Sequence, residues 1–312
     1  MNYEEWIEEK IKEIKDDVKN NIVISALSGG VDSSVCTVLV HKAIRDKLKA
    51  YFIDDGLMRE KEPENVVKTF KGLGIDVKLV DAKDEFFNAL KEIEDAEEKR
   101  KAFRNTFYTV FGRLVKESEA RFLLQGTIKA DIIETKGGVK TQHNILEQIG
   151  INPEEQYGFK VIEPLKEFFK HEVRLIAKEL GLKEEMYNRM PFPGPGLLCR
   201  VLGEVTPERV DKVRKATVIV EEEIKNSGLK PFQCFAVLMN DKATGLKDKQ
   251  RNYGNIIIVR SVESKDAMTA LPTNVSFETL RKIAERITKE IPSVVRVAYE
   301  ITGKPTGTIE YI

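Results

Sequence analysis

Residues 22–40 read IVISALSGGVDSSVCTVLV, in which a polar loop at 28–34 separates two apolar runs. The first run predicts a buried strand and the second a helix, since the loop between them supplies the turn signal. Gly29 and Gly30 allow a sharp turn that presents consecutive N–H groups. Together with the hydroxyls of Ser28, Ser33 and Ser34, these groups favour a polyphosphate at the N-terminus of the helix. The sequence therefore predicts a loop that binds nucleotide phosphates.

An acid occupies the centre of this loop. A Walker A loop would end in Gly-Lys-Ser or Gly-Lys-Thr. The loop at 28–34 contains no lysine, and its acidic residue is Asp32. A carboxylate repels phosphates unless a cation lies between them, so Asp32 predicts a bound Mg²⁺. The plainer alternative is a tight Gly-Gly turn capped by Asp and Ser. The strand on one side and the helix on the other favour the phosphate interpretation.

The seven residues resemble the PP-loop of the N-type ATP pyrophosphatases. Members of that superfamily cleave ATP between the α and β phosphates by adenylating an oxygen of a second substrate. The resemblance implies that the loop holds ATP and that Asp32 contacts its metal ion. The motif alone leaves that second substrate open.

Composition restricts the classes of partner. A chain of 312 residues is long enough for two domains, or for one large α/β domain with an appendage. Lys plus Arg and Asp plus Glu both number 51, so no basic excess points to a nucleic acid or an anionic membrane. No run approaches a membrane span, which predicts a soluble protein without a membrane partner. The three cysteines are widely separated, so we expect a reducing cytoplasmic location and neither a disulfide framework nor a zinc site.

Strand and helix patterns alternate through the first part of the chain. Apolar runs at 50–53, 76–80 and 122–124 follow helical segments, which favours a doubly wound parallel sheet. Such sheets bind ligands beyond the carboxyl ends of their strands, where we expect the loop, Asp54 and Thr127 to meet. Residues 1–20 predict an amphipathic helix on the first strand.

Two irregular segments follow. Residues 135–157 lack periodicity and predict a lid over the site, and residues 191–196 read PFPGPG, a rigid turn that excludes helix. We place a domain boundary just after it, giving a first domain at 1–200 and a smaller α+β domain at 201–312. The second domain begins with a predicted helix at 207–226. Its apolar runs 256–259 and 294–297 fit interior strands as well as a subunit interface.

Further segments are similar to the synthetase part of the GMP synthases, in the form of a separate ATP pyrophosphatase subunit. They cover almost the whole chain: FIDDGLMR at 52–59, QGT at 125–127, KTQHN at 140–144, PFPGPGL at 191–197, RSVES at 260–264 and KPTGTIE at 304–310. The resemblance implies an adenine nucleotide alpha-hydrolase-like fold with a C-terminal dimerisation domain. It also implies that the C2 oxygen of XMP is adenylated and that ammonia then converts the intermediate to GMP.

Residue by residue, the resemblance gives a set of expected sites. Asp32 and Lys140, the latter from the lid, are the expected catalytic residues, and Asp32 is also the expected metal ligand. The expected ATP-binding residues are Ser28, Gly29, Gly30, Val31, Asp32, Ser33, Ser34, Asp54, Gly126 and Thr127. The expected XMP-binding residues are Arg100, Gln233, Lys304, Ile309 and Glu310. Judged singly, the charged residues would fit surface ion pairs equally well.

The resemblance also implies partners. Only a short helix precedes the loop, and no cysteine has a nucleophile setting, so we expect ammonia from a separate glutamine amidotransferase subunit, or the use of free ammonia. A homodimer through the C-terminal domain is implied as well. Gln142 departs from the histidine common at this position in the family, which puts a two-histidine mechanism in doubt and leaves His143 as the candidate acid or base of the lid.

Two other functions remain open from sequence. One is another PP-loop enzyme, either an amidating one such as NAD synthetase or a tRNA-modifying sulfur transferase, although the latter would favour paired cysteines or a basic surface. The other is a nucleotide-binding dimer without turnover, which would require an impaired loop, yet Asp32 and Lys140 are present.

Overall fold

A computed structural model describes residues 2–136, 159–247, 249–265 and 267–312. The chain forms two compact units. Unit 1 comprises Met1–Asp54, Glu62–Ala82 and Phe107–Arg189, and unit 2 comprises Asp55–Lys61, Lys83–Thr106 and Met190–Ile312. Both units are therefore discontinuous in sequence. The boundary expected near residue 200 stays a prediction.

The helices are numbered along the whole chain. Their bounds are α1 Tyr3–Val18, α2 Val31–Ile44, α3 Glu62–Gly72, α4 Lys83–Leu90, α5 Ala96–Ser118, α6 Lys129–Lys136, α7 Lys170–Glu179, α8 Glu184–Tyr187, α9 Pro207–Asn226 and α10 Phe277–Glu290. Within the part of the chain that the structure describes, no helix combines the length and apolar character needed to cross a membrane.

Unit 1 contains a five-stranded parallel sheet. Its strands are β1 Val23–Leu27, β2 Leu48–Asp54, β3 Val77–Asp81, β4 Phe122–Leu124 and β5 Lys160–Ile162, in the order β3-β2-β1-β4-β5. The chain moves outward from β1 to β3 and then returns to the other side of β1 with β4. The loop after β1 therefore lies at the point where the strand order reverses, which is where such sheets bind ligands. The predicted parallel α/β fold is confirmed.

The positions of the first two helices, α1 and α2, follow from their contacts. Buried hydroxyls of Ser25 in β1 and Thr37 in α2 lie 2.9 Å apart, so they satisfy one another where the helix crosses the strand. The N-terminal helix α1 has its main contacts with α2 and α7, so its expected place on the first strand was wrong. The reason is that α2 already covers β1 at this face, and the apolar side of α1 packs on helices instead.

Unit 2 contains a mainly antiparallel sheet. A long hairpin of β6 Gln233–Lys247 and β7 Gln250–Glu263 is flanked by the short β8 Leu271–Pro272 and by β9 Val294–Tyr299, which runs parallel to β7. Helix α9 packs on β6, and α10 packs on both α9 and β9. The two apolar runs left open by the sequence pair with each other in this sheet, with Ile257 opposite Val297. The predicted α+β architecture is confirmed, but the sheet is not short, because its two hairpin strands are 15 and 14 residues long.

Candidate functional site

The loop after β1 is organised by its own hydroxyls. Gly29 has a φ of +73°, which only glycine adopts without strain, and Gly30 is the cap residue before α2. Ser28 Oγ lies 3.0 Å from Ser33 Oγ, and Ser34 Oγ donates to the carbonyl of Gly30 at 2.8 Å. The loop is thereby closed over the first turn of α2, with the positive end of the helix beneath it.

Asp32 lies in this first helical turn. One carboxylate oxygen, Oδ2, forms an ion pair with Lys170 of α7, whereas Oδ1 is buried and has no hydrogen-bond partner among the described residues. Burial raises the pKa of the Asp32 carboxyl above its ordinary value, and the positive charge of Lys170 offsets this only in part. A buried, unsatisfied carboxylate oxygen costs free energy in the isolated protein. It therefore points to a ligand of its own.

The donor set fits a magnesium ion that is shared with phosphates. Among the described residues, no three His, Cys, Asp or Glu side chains are grouped to hold a metal by themselves. Mg²⁺ usually takes only one or two protein carboxylates and completes its octahedron with substrate phosphates and water. The unsatisfied Oδ1 of Asp32 has the chemistry of such a carboxylate ligand.

A cavity of about 220 Å³ opens beside the loop. Ser28, Asp32 and Ser33 line one side, and Phe107 and Phe111 of α5 line another. The two phenyl rings are nearly parallel, with centroids 6.2 Å apart. The cavity thus joins a polar, phosphate-binding side to an apolar aromatic one, as an adenine nucleotide requires.

The segment after β4 forms the floor of the cavity. A Cβ atom on Gly126 would lie 3.0 Å from the backbone N of Ser33 and 3.2 Å from the carbonyl carbon of Asp32, so a side chain here would force the backbone at 32–33 to shift by a few tenths of an ångström. Thr127 Oγ1 donates to Glu163 Oε1 at 2.6 Å, which fixes its side chain. Asp54, at the end of β2, is buried in the same unit. Gly126 and Thr127 thus line the cavity, and their binding of ATP stays a prediction.

Unit 2 contains a second polar cluster, centred on Glu310. Arg200 is buried, and its Nε and Nη2 donate to the two carboxylate oxygens of Glu310 at 3.0 and 2.9 Å. Gln233 Nε2 donates to Glu310 Oε1 at 2.6 Å and to the Pro191 carbonyl at 3.2 Å. The Arg200 guanidinium also lies 4.0 Å from the ring centroid of Phe235. The expected residues Gln233 and Glu310 are therefore in contact, beside a buried arginine that the sequence argument had missed.

The other expected XMP-binding residues belong to the same unit. Lys304 Nζ donates to the Ala267 carbonyl at 2.8 Å, and Arg100 forms an exposed ion pair with Glu97. Burial raises the pKa of the Cys199 thiol to about 12, with Glu310 also raising it and Arg200 and Arg100 lowering it. Arg100 and Glu310 therefore both lie within electrostatic range of Cys199. Ile309 is partly exposed beside Glu310.

Lys140, Gln142 and His143 lie outside the described residues, as does nearly all of the predicted lid. Sequence reasoning also missed several side chains that the fold brings to the loop. Lys170 reaches Asp32, Arg174 acts on Asp32 electrostatically, and Arg189 donates to the carbonyl of Gly29. None of the motifs quoted from the sequence contains Lys170, Arg174 or Arg189, so only the fold brings these side chains to the loop.

The fold and the loop together define a nucleotide-binding protein of the PP-loop class. A family model described as the PP-loop domain matches residues 3–185, and one described as the GMP synthase C terminal domain matches residues 222–311. The chain belongs to a family of subunits of the glutamine-hydrolyzing GMP synthases, since it is 54% identical over 310 residues to one such subunit from Thermococcus kodakarensis, covering 99% of each chain.

Other relatives agree. The corresponding GMP synthase subunits of Archaeoglobus fulgidus and Methanocaldococcus jannaschii are 53% and 50% identical, with 100% and 98% of each chain covered. An NH3-dependent NAD synthetase from Campylobacter jejuni, solved with a nitrate ion, is 16% identical with a TM-score of 0.48 over 73% of this chain and 86% of its own. That likeness is too weak to bear on function. Family membership therefore favours the GMP synthase interpretation over the NAD synthetase alternative.

Proposed function

We propose that this chain synthesises GMP from XMP, ATP and ammonia, as a C–N bond-forming ligase of purine nucleotide biosynthesis. The observation that carries the proposal is sequence identity: over 99% or more of its length, the chain is 54% and 53% identical to two proteins named as subunits of GMP synthase. In the proposed reaction the C2 oxygen of XMP attacks the α-phosphorus of ATP, and pyrophosphate leaves. Ammonia then attacks C2, and AMP departs with the oxygen.

The loop and α2 are proposed to bind ATP. The N–H groups and hydroxyls of Ser28 to Ser34 would hold the phosphates at the helix N-terminus. Phe107 and Phe111 offer an apolar surface for the adenine ring, and Gly126 admits the nucleotide close to the backbone. Asp54, at the end of β2, and Thr127, after β4, follow the two strands that flank β1, and both are proposed to contact the same nucleotide.

Asp32 is proposed to be the residue that would hold Mg²⁺, through its buried Oδ1. The ion supplies Lewis-acid stabilisation of the charge that develops on the phosphates. Lys170 faces the other oxygen of Asp32 and partly offsets the rise in the pKa of that carboxyl that burial causes. Lys140, in the proposed lid, would add a further positive charge near the leaving pyrophosphate.

Unit 2 is proposed to bind XMP. The Glu310 carboxylate, held at both oxygens by Arg200, suits the N–H groups of a xanthine base, while Gln233 helps to orient it. Arg100 and Lys304 would meet the phosphate or the purine oxygens. The apolar Ile309 would pack against the nucleotide.

Ammonia is proposed to come from a separate glutamine amidotransferase subunit. The relatives are named as glutamine-hydrolyzing, yet none of the three cysteines here fits a glutaminase nucleophile. Cys36, Cys199 and Cys234 are all buried, and burial raises the pKa of each thiol, whereas a reactive cysteine needs a lowered one.

We further propose a cytoplasmic homodimer that forms through unit 2. Exposed apolar side chains on this unit support the dimer, among them Leu271, Phe277 and Ile301. The three free thiols fit a reducing compartment.

The experiment is a coupled assay of pyrophosphate and GMP with the purified chain. Ammonium chloride, ATP, Mg²⁺ and XMP should give both products in equal amounts, whereas glutamine in place of ammonium should give no GMP. Nucleotide binding without turnover under the first condition would instead favour the non-catalytic dimer.

A further inference from the structure

A buried ion pair lies behind the phosphate loop. Glu62, the first residue of α3, has a side chain only 4% exposed, and its Oε1 accepts from Arg189 Nη2 at 2.7 Å. Glu62 Oε2 is buried without a hydrogen-bond partner among the described residues. A carboxylate in this place would repel a nearby polyphosphate, so its neutralisation by Arg189 matters for the loop as well as for the fold.

Arg189 also contacts the loop directly. Its Nη1 donates to the carbonyl oxygen of Gly29 at 3.1 Å, so one planar guanidinium joins the Glu62 carboxylate to the loop backbone. A Cβ atom on Gly29 would lie 2.5 Å from Glu62 Oε1. The φ of +73° at Gly29 makes a side chain unfavourable for a second reason. The pair therefore fits against this glycine and leaves no room for another residue.

The direction of the Gly29 carbonyl determines the direction of the next N–H. A trans peptide unit is planar, with its C=O and N–H pointing to opposite sides. Since the Gly29 carbonyl points to Arg189, the N–H of Gly30 points to the other side, where it donates to Ser28 Oγ at 3.3 Å. That side carries the loop hydroxyls and borders the cavity at Ser28, Asp32 and Ser33.

We propose that Glu62 and Arg189 are positioning residues for the phosphate loop. Arg189 holds the Gly29–Gly30 peptide so that its N–H is directed to the side of the loop that carries Ser28 Oγ, where the ATP phosphates are proposed to bind. Glu62 holds the Arg189 guanidinium in the orientation that its hydrogen bond to the Gly29 carbonyl needs. The inference rests on the proposed function, because it takes the loop to be the ATP site. It assigns the two residues no contact with XMP.

Four variants test the pair: Arg189→Met, Arg189→Lys, Glu62→Gln and the double variant Glu62→Gln with Arg189→Met. A matched control is Arg286→Met, since the Arg286 side chain is 32% exposed against 31% for Arg189 and also pairs with glutamates, in unit 2. For each protein, KM for ATP, KM for XMP, kcat and the melting temperature are measured, and ATP binding without XMP is followed by calorimetry.

Arg189→Met should raise KM for ATP about tenfold and weaken ATP binding to the same extent, as expected for loss of one charged hydrogen bond that orders the loop. KM for XMP should stay within about twofold. Arg189→Lys should restore little, because an ammonium group cannot reach two acceptors as a planar fork does. Arg286→Met should match the wild type in both KM values.

The double variant separates positioning from stability. Arg189→Met leaves the buried Glu62 charge unpaired, so its melting temperature should fall, and the added Glu62→Gln should recover much of that loss. The ATP defect should persist, because Gly29 still lacks its donor. Recovery of ATP affinity together with stability would overturn the inference, as would a wild-type KM for ATP in Arg189→Lys. Absence of XMP-dependent turnover in the wild type would instead count against the proposed function, and calorimetry would still report on the pair.

Discussion

Asp32 illustrates a conflict between stability and function at a single residue. Its carboxylate is buried, with one oxygen unsatisfied, and burial raises its pKa. A carboxyl whose folded pKa lies above the unfolded value binds more protons when folded, so its contribution to stability falls as the pH rises from 3.8 through the raised pKa. At neutral pH the ionised group is a cost to the fold, which is expected of a group kept for a ligand.

Asp32→Asn should therefore abolish pyrophosphate release while leaving the melting temperature unchanged or higher. The amide removes the charge that is proposed to bind Mg²⁺ and keeps the shape of the side chain. Activity and thermal unfolding are measured on the same preparation, with the exposed Asp16→Asn as the control. A variant that loses stability and activity together would argue that Asp32 has a structural role.

In unit 2, Arg200 is a second buried charged residue for which a role in ligand binding can be tested. It is 2% exposed and binds both oxygens of Glu310, so its loss would free the carboxylate that is proposed to recognise the base. Arg200→Lys keeps the charge but loses the paired geometry, and it should raise KM for XMP about tenfold with little change in KM for ATP. The surface substitution Arg281→Lys serves as the control, since Arg281 is 64% exposed. An equal rise in both KM values would count against a specific role.

At the scale of elements, local sequence rules worked where a segment carries its own start and stop signals. Helix α9 begins and ends at the predicted residues, because Thr206 caps it by accepting from Arg209 N at 3.3 Å and Pro207 is its first residue. The strand after Ile22 and the loop at 28–34 were predicted for similar reasons.

Pairs of residues that join distant segments of the chain had no such local signal. Arg189 lies 127 residues from Glu62, and Arg200 lies 110 from Glu310, so only the fold brings them together.

The contact between the β4–α6 segment and α2 gives a test at this scale. Gly126→Ala places a methyl group 3.0 Å from the Ser33 nitrogen, so the loop must shift. We expect a loss of about 1–3 kcal/mol in stability and a raised KM for ATP. Gly112, within α5, has no atom within 4 Å of an added Cβ, so Gly112→Ala should stabilise by up to about 1 kcal/mol. Chemical denaturation compares the two, and equal effects would contradict the packing argument.

Lys99 links α5 to the segment before α9. It is fully buried, donates to the Val201 carbonyl at 3.0 Å, and has its pKa lowered to about 8 by burial. The unfolded value is 10.5, so between pH 8 and 10.5 the unfolded chain binds the extra proton and stability from this group rises with pH. Between pH 7.5 and pH 9.5, the melting temperature of the wild type should rise relative to that of Lys99→Met. Lys101 is exposed, so the melting temperature of Lys101→Met should change with pH in the same way as that of the wild type.

At the scale of the whole molecule, the two expected ligands fall on different units. The ATP-binding candidates outside the undescribed segments lie in unit 1, and the XMP-binding candidates, Arg100 included, lie in unit 2. Sequence order predicts this division only in part, because Lys83–Thr106 belongs to unit 2 although it precedes part of the unit 1 sheet. The class of reaction followed from the loop. The second substrate followed from motifs spread along the entire chain, which composition and periodicity could not supply.

The central claim is that the C2 oxygen of XMP becomes an oxygen of AMP. XMP labelled with ¹⁸O at C2 is incubated with the protein, ATP, Mg²⁺ and ammonium, and the products are analysed by mass spectrometry. The account predicts one ¹⁸O atom in each AMP formed with GMP, and none in pyrophosphate. Label in inorganic phosphate, with ADP as the other product, or AMP that carries oxygen from water alone would contradict it.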